Sequence, residues 1–115
     1  MATIHYLEIV TPDVEAVYAS HAAALNTVFS DGVPELGNAK TAPLPDGGLI
    51  GVRAPMHDAE EPATRPYHLV EDIDLAVSKA EAAGAMVALP PMEIPGRGKC
   101  AIVMFGSIQS GFWQL

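Results

Sequence analysis

One order of local signals runs through this chain twice, and that repetition constrains the fold more than any single residue does. Residues 3–10, Thr-Ile-His-Tyr-Leu-Glu-Ile-Val, are rich in β-branched and aromatic types and read as a strand. Thr11-Pro12-Asp13 stops it and opens a helix over about 13–26, where Val14, Val17, Tyr18, His21, Ala22 and Leu25 form one apolar stripe. Three short antiparallel strands are expected at about 27–30, 36–43 and 48–54, with Asp46-Gly47-Gly48 as the clearest hairpin turn. Residues 55–65, Pro-Met-His-Asp-Ala-Glu-Glu-Pro-Ala-Thr-Arg, are polar, acidic and proline-flanked, and read as a linker. The series then restarts with a strand at 66–70 and a helix whose first turn carries Asp72 and Asp74, the sign its dipole favours. Ile73, Val77, Ala80 and Ala83 make the stripe of that helix and Gly84 its C-terminal cap, and strands follow near 86–93, 100–105 and 111–115. Each half, about fifty residues, is too small to bury an adequate core alone, so the halves are expected to share one. The reading is an α+β fold: a single domain over 1–115, with module one at about 3–54, the linker at 55–65 and module two at about 66–115.

Composition narrows the function classes. At 115 residues, half of them hydrophobic and 17% charged, the chain is globular and one domain long. Fourteen acidic against six basic residues leave a net charge of −8, so no basic footprint exists for nucleic acid, and an anionic membrane surface would repel the chain. No apolar run has the length of a membrane-spanning helix, and Met-Ala-Thr-Ile-His lacks the basic and apolar regions of a signal peptide. A single cysteine, Cys100, excludes an internal disulfide and suggests a reducing compartment, so a cytoplasmic location is expected. The partner that remains is a small-molecule ligand, with no nucleic acid and no membrane.

Two stretches resemble the vicinal oxygen chelate superfamily, which includes glyoxalase I, bleomycin-resistance proteins and extradiol dioxygenases. The first is Glu8-Ile-Val-Thr-Pro-Asp-Val-Glu-Ala-Val-Tyr18, similar to that family's strand-to-helix opening. The second runs Tyr67-His-Leu-Val-Glu-Asp-Ile-Asp-Leu-Ala-Val77, then Ala83-Gly-Ala85, then Glu93-Ile-Pro-Gly-Arg-Gly-Lys99, and is similar to its second module. One departure is Ile108-Gln-Ser-Gly111, where the family often has Asp-Pro-x-Gly before the last strand. The resemblance implies two βαβββ modules that curl a mixed sheet into a cup, with helices on the outer face and the ligand inside. It also implies that a metal, where present, takes its ligands from the first and last strand of each module.

The residues at those positions do not suit a metal. Counted back from Asp13 and Asp72, they are Tyr6, Gly51, Pro66 and Gln114 or Leu115. Slipped by one, they are His5, Ile50 or Val52, and Tyr67, and His5 alone would serve. A catalytic divalent ion needs about three protein ligands, so no metal and no other cofactor is expected.

Strand alternation sends Tyr6, Glu8 and Val10 to one face and Leu7 and Ile9 to the other. With Leu7, Ile9, Ile50 and Val52 toward the helices, Tyr6, Glu8, Leu49, Gly51 and Arg53 face the cup. Matching the last strands of the two modules puts Phe112 and Gln114 inside and Trp113 outside, and a slip of one exchanges them with Trp113 and Leu115. His68 is expected to point inward from the same face as Pro66. His5 alternates away from the cup, His21 belongs to the helix stripe as a satisfied side chain, and His57 lies in the solvated acidic linker. The expected ligand-binding set is therefore Tyr6, Glu8, Arg53, His68, Phe112 and Gln114, with Glu8 and Arg53 paired across the sheet. Nothing supports a nucleophile: Cys100 lies in an apolar strand, where thiols are inert. Gly96-Arg-Gly98 reads as a turn and Pro90-Pro91 as rigid loop, so no phosphate cradle is expected.

Three functions fit these residues. The first is a metal-free protein of the bleomycin-resistance kind that binds a small molecule in the cup. The second is a lyase, isomerase or dioxygenase acting on a small oxygenated substrate, which needs either metal ligands not recognised in the sequence or Glu8 and His68 as a metal-free acid–base pair. The third is an interaction module whose cup is vestigial. A homodimer is expected, because curled half-sheets leave edges and apolar surface uncovered.

Overall fold

A computed structural model describes residues 3–45 and 47–115. Among the described residues are seven strands and two α-helices in α+β order: β1 Ile4–Val10, α1 Val14–Leu25, β2 Lys40–Pro43, β3 Leu49–Arg53, β4 Ala63–Leu69, α2 Ile73–Ala82, β5 Met86–Ile94, β6 Gly98–Phe105 and β7 Ile108–Gln114. The chain forms two compact units, one spanning Tyr6–Thr64 and the other Arg65–Leu115 with the chain start up to His5.

In the first unit the strand order is β2-β3-β1. β1 runs parallel to β3, and β2 antiparallel to it, so the sheet is mixed. The hairpin expected between β2 and β3 forms: Leu44 N–H donates to the Gly48 carbonyl (2.8 Å) and Gly47 N–H to the Leu44 carbonyl (3.1 Å). Asp46 of that turn lies outside the described residues. α1 ends where Asn26 turns left-handed, at φ 51°. The stripe read from the sequence lies on its less exposed side, at Val14, Val17, Tyr18, His21 and Ala22, whereas Leu25 is exposed.

The strand expected at 27–30 does not form. Thr27 N–H turns back to the Ala22 carbonyl (3.1 Å) to close α1, and Ser30 meets β2 at Thr41, its N–H donating to the Thr41 carbonyl (2.7 Å) and its Oγ accepting from Thr41 N–H (3.1 Å). A single 3-10 turn over Pro34–Leu36 follows, then Gly37 and Asn38 at φ 66° and 65°. Those two left-handed residues delay β2 until Lys40, later than the 36 read from the sequence.

In the second unit the order is β4-β7-β6-β5, with β4 parallel to β7 and the other pairs antiparallel. Asp72 caps α2, its Oδ1 accepting from Leu75 N–H (3.1 Å). Gly84, at φ 107°, lets Ala85 N–H reach back to the Ala80 carbonyl (3.0 Å) and finish the helix. α2 buries Ile73 and Val77 against Ala85, Ala101 and Val103, with Val70, Ala80, Val87 and Phe112 packed around them. Each fully buried aliphatic side chain here contributes about 1.5–3 kcal/mol. Pro90-Pro91, read as loop, lies inside β5. β5 is an edge strand, and one of its register shifts, between Leu89 and Met92, falls where the two prolines lie. β4 begins at Ala63, so Ala63–Arg65, read as linker, are strand.

Candidate functional site

Parallel pairing fixes which side chains share a face. In the first unit Tyr6 lies beside Leu49, Glu8 beside Gly51 and Val10 beside Arg53. Tyr6, Glu8, Gly51 and Arg53 thus share one face, and Leu7, Ile9, Ile50 and Val52 the other, as alternation implied. The Tyr6 ring lies directly over Gly51, so that a Cβ at 51 would strike the phenol hydroxyl; the glycine is what lets the ring lie flat on β3.

Glu8 and Arg53 are both buried, which is rare for charged residues without a partner. Arg53 Nε donates to Glu8 Oε2 at 2.7 Å. The rest of the guanidinium meets a residue the sequence reading left in solvent. Arg53 Nη1 and Nη2 donate to Glu60 Oε1 and Oε2 at 2.8 and 2.7 Å, two parallel bonds in the fork-to-fork arrangement. Nη1 also donates to the Ala54 carbonyl (3.1 Å), and Met56 N–H donates to Glu60 Oε1 (2.7 Å). The Glu60 hydrogen bonds, with those of Glu8, outweigh burial and push the Arg53 pKa still higher, so it is always charged. The 55–65 stretch is therefore not wholly solvated: Glu60 is pinned, and only 17% of its side chain is exposed. An open pocket of about 470 Å³ adjoins it, lined among others by Pro12, Met56, His57, Asp58 and Glu60.

In the second unit Tyr67 lies beside Gly111, His68 beside Phe112 and Leu69 beside Trp113. Phe112 packs against the α2 core, and Gln114 Oε1 accepts from Ile73 N–H (2.9 Å) at the start of α2. Phe112, Gln114 and, by register, His68 therefore face the helix rather than the opposite side of the sheet. Of the alternative that exchanges Trp113 and Leu115 with Phe112 and Gln114, the Trp113 part holds, whereas Leu115 lies past the end of β7 and is exposed. The face away from α2 carries Arg65, Tyr67, Gly111 and Trp113. Tyr67 meets Trp113 edge-on, ring centroids 5.6 Å apart, and Trp113 Nε1 donates to the Arg97 carbonyl (2.7 Å). His5 tilts against Trp113 at 5.5 Å, and its pKa is lowered by burial and, secondarily, by the Arg97 charge. Arg65 is buried and its Nε donates to Gln109 Oε1 (2.7 Å).

Sequence reading missed Arg65, Tyr67 and Glu60, and it held Trp113 only as the alternative to Phe112 and Gln114. A signal for Arg65, Tyr67 and Trp113 was present. Asp13 and Asp72 each immediately precede a helix, and an equal count back from each reaches Tyr6 and Arg65, which corrects the Pro66 read from the sequence. Aligned this way, Glu8 and Arg53 occupy the positions that Tyr67 and Trp113 occupy in the repeat. One fold position pair carries a charge pair in one unit and an aromatic pair in the other. His21 lies on α1 with Nδ1 donating to the Val17 carbonyl (2.9 Å), and Cys100 is buried.

The family's metal does not fit these residues. Tyr6 and Gly51 offer no imidazole or carboxylate, and the carboxylates of Glu8 and Glu60 are both bonded to the Arg53 guanidinium. Among the described residues, no three His, Cys, Asp or Glu side chains group so as to hold an ion.

No family model and no curated protein matches the sequence. Solved structures do match the fold along nearly the whole chain. A hypothetical protein from Bacillus halodurans is similar with a TM-score of 0.76 at 11% identity, covering 99% of this chain and 94% of its own. Methylmalonyl-CoA epimerase from Mycobacterium tuberculosis has a TM-score of 0.71 at 12% identity, covering 96% and 86%. A variant of Streptomyces coelicolor methylmalonyl-CoA epimerase in complex with 2-nitronate-propionyl-CoA has 0.66 at 14%, covering 96% and 95%. These epimerases belong to the vicinal oxygen chelate superfamily, so the fold agrees with the resemblance read from the sequence.

Proposed function

We propose that this chain is a metal-free protein of the glyoxalase and bleomycin-resistance kind, binding a small molecule on the sheet face that carries Tyr6, Glu8 and Arg53. The observation that carries the reading is the Glu8–Arg53 pair, buried on the sheet face opposite Val52 and Lys40, the lysine whose ammonium lies over Tyr18 of α1. A buried ion pair stabilises a fold weakly compared with apolar residues of similar size, so its presence favours a recognition role. His68, Phe112 and Gln114 are not included, because they face α2. The test is a thermal-shift screen of EDTA-treated protein against bleomycin, coenzyme A thioesters and small organic acids. Binding that survives EDTA and is lost in Arg53→Ala supports the reading. Binding that requires an added divalent ion contradicts it, and an empty screen favours an interaction module.

A second reading is an isomerase, favoured by the fold likeness to methylmalonyl-CoA epimerases. Its test is exchange of the α-proton of methylmalonyl-CoA for deuterium, followed by proton NMR. We further propose a cytoplasmic homodimer, supported by the buried reduced Cys100 and by exposed Val28, Met86, Phe105 and Ile108. Sedimentation at micromolar concentration finding only a 12.1 kDa species refutes the dimer.

A further inference from the structure

The Arg53–Glu60 contact has the geometry by which proteins grip a ligand's carboxylate, yet both partners belong to one chain. The two sides of the guanidinium differ in kind. Nε is held by Glu8, and both residues stand on paired strands, so this bond fixes the plane of the group. The two terminal nitrogens are met by a residue of the β3–β4 loop. That loop is weakly anchored. Met56, His57, Asp58, Ala59, Glu61 and Pro62 are all exposed, and Glu60 is the point at which its carboxylate reaches the sheet. Loops with little buried apolar surface open at low free-energy cost. The open pocket beside Glu60 gives a small molecule a place to approach.

We propose that Glu60 holds the place of a ligand on Arg53, and that the ligand is a small organic acid whose single carboxylate displaces Glu60 as the loop swings away. This rests on the binding function proposed for the same face. The exchange conserves the chemistry at Arg53: two charge-assisted hydrogen bonds break and two equivalent ones form. It also conserves charge, since one carboxylate leaves and one enters beside Glu8. A phosphate dianion would add a further negative charge beside Glu8, which disfavours it. Because only the open state binds, Glu60 lowers the apparent affinity by the fraction of time the loop is open. Glu60 Oε1 also accepts from Met56 N–H, so displacement frees that amide and reports the opening.

The test uses the full ¹⁵N-labelled chain, with sodium propionate as probe, propionamide as its neutral counterpart, and ionic strength held constant. The Arg53 Nε–Hε and Met56 amide resonances are followed in the wild type, Glu60→Ala and the isosteric Glu60→Gln. Propionate is expected to shift both resonances in the wild type and to bind about tenfold or more tightly in the two variants. Propionamide is expected to shift neither. Equal propionate affinity in the wild type and the folded variants overturns the proposal, as does an Arg53 resonance that propionate never moves. A ligand from the thermal-shift screen that shifts the Tyr6 and Gly51 amides while Met56 stays protected also overturns it, yet leaves the binding function standing.

Discussion

Replacing Arg53 with alanine removes the cation that two carboxylates share. The magnitude follows from how differently those carboxylates can respond. Glu60 is on an exposed loop and can turn into water, so its loss of partner costs little. Glu8 is on β1 with 8% of its side chain exposed, and the strand holds it in place. Removing one member of a buried pair costs about 3–5 kcal/mol. Water entering the space left by the arginine and the loosened loop offsets part of that, which leaves about 3 kcal/mol. Urea unfolding followed by Trp113 fluorescence measures it, since Trp113 is the single tryptophan and is 3% exposed. The double variant Glu8→Gln/Arg53→Ala no longer buries the charge and should recover about 1–2 kcal/mol of the loss. A single variant within about 0.5 kcal/mol of wild type would show that the pair is not buried in solution. A double variant no more stable than Arg53→Ala would refute the assignment of the loss to Glu8.

Other outcomes follow from the same geometry. Gly111→Ala sets a Cβ into the Tyr67 ring and should destabilise by about 1–3 kcal/mol in the same urea experiment; a neutral result means the ring does not lie on β7. Trp113→Phe keeps the aromatic contact with Tyr67 but leaves the Arg97 carbonyl without its indole donor, costing about 1 kcal/mol by thermal unfolding. Asp72→Ala removes the α2 cap and should cost about 1 kcal/mol, whereas Asp13→Ala, whose side chain makes no cap hydrogen bond, should cost less. His5 should titrate below its ordinary value of 6.5, because burial and then Arg97 disfavour its charged form. The unfolded chain then takes up this proton first, so His5 stabilises fully above pH 6.5 and the contribution is lost as pH falls through the lowered folded value. A proton NMR titration of His5 with a midpoint at or above 6.5 contradicts this.

Much of the architecture was legible because it is written in periodicity. The Ile4–Val10 alternation, both helices with their leading Asp13 and Asp72, and the β2–β3 hairpin are local signals. The strand expected at 27–30 failed because Thr27 N–H turns back to close α1 and the segment meets β2 at Ser30, through its bonds with Thr41. The face of the first unit was read correctly because Leu7, Ile9, Ile50 and Val52 leave Glu8 and Arg53 a single side. The second unit misled because Gly111-Phe-Trp-Gln has no charged residue to break the tie, so Phe112 and Trp113 suit either face. What decides is the bond from Ile73 N–H to Gln114 and the fit of Tyr67 over Gly111, both made between strands or helices far apart in sequence. Glu60 was illegible for the same reason. An acidic, proline-flanked run looks solvated until a buried guanidinium is seen to face it.

The Glu8 carboxylate is bound to the Arg53 guanidinium, and Tyr6 and Gly51 on the same face offer no imidazole or carboxylate. Titrating Co²⁺, a paramagnetic ion, into EDTA-stripped, ¹⁵N-labelled protein tests whether that face can hold an ion. The Tyr6, Glu8, Gly51 and Arg53 amides are expected to stay sharp at one equivalent, because no set of three ligands surrounds them among the described residues. Selective broadening of those four amides at one equivalent, reversed by chelator, would contradict it and return Glu8 to the role of a metal ligand.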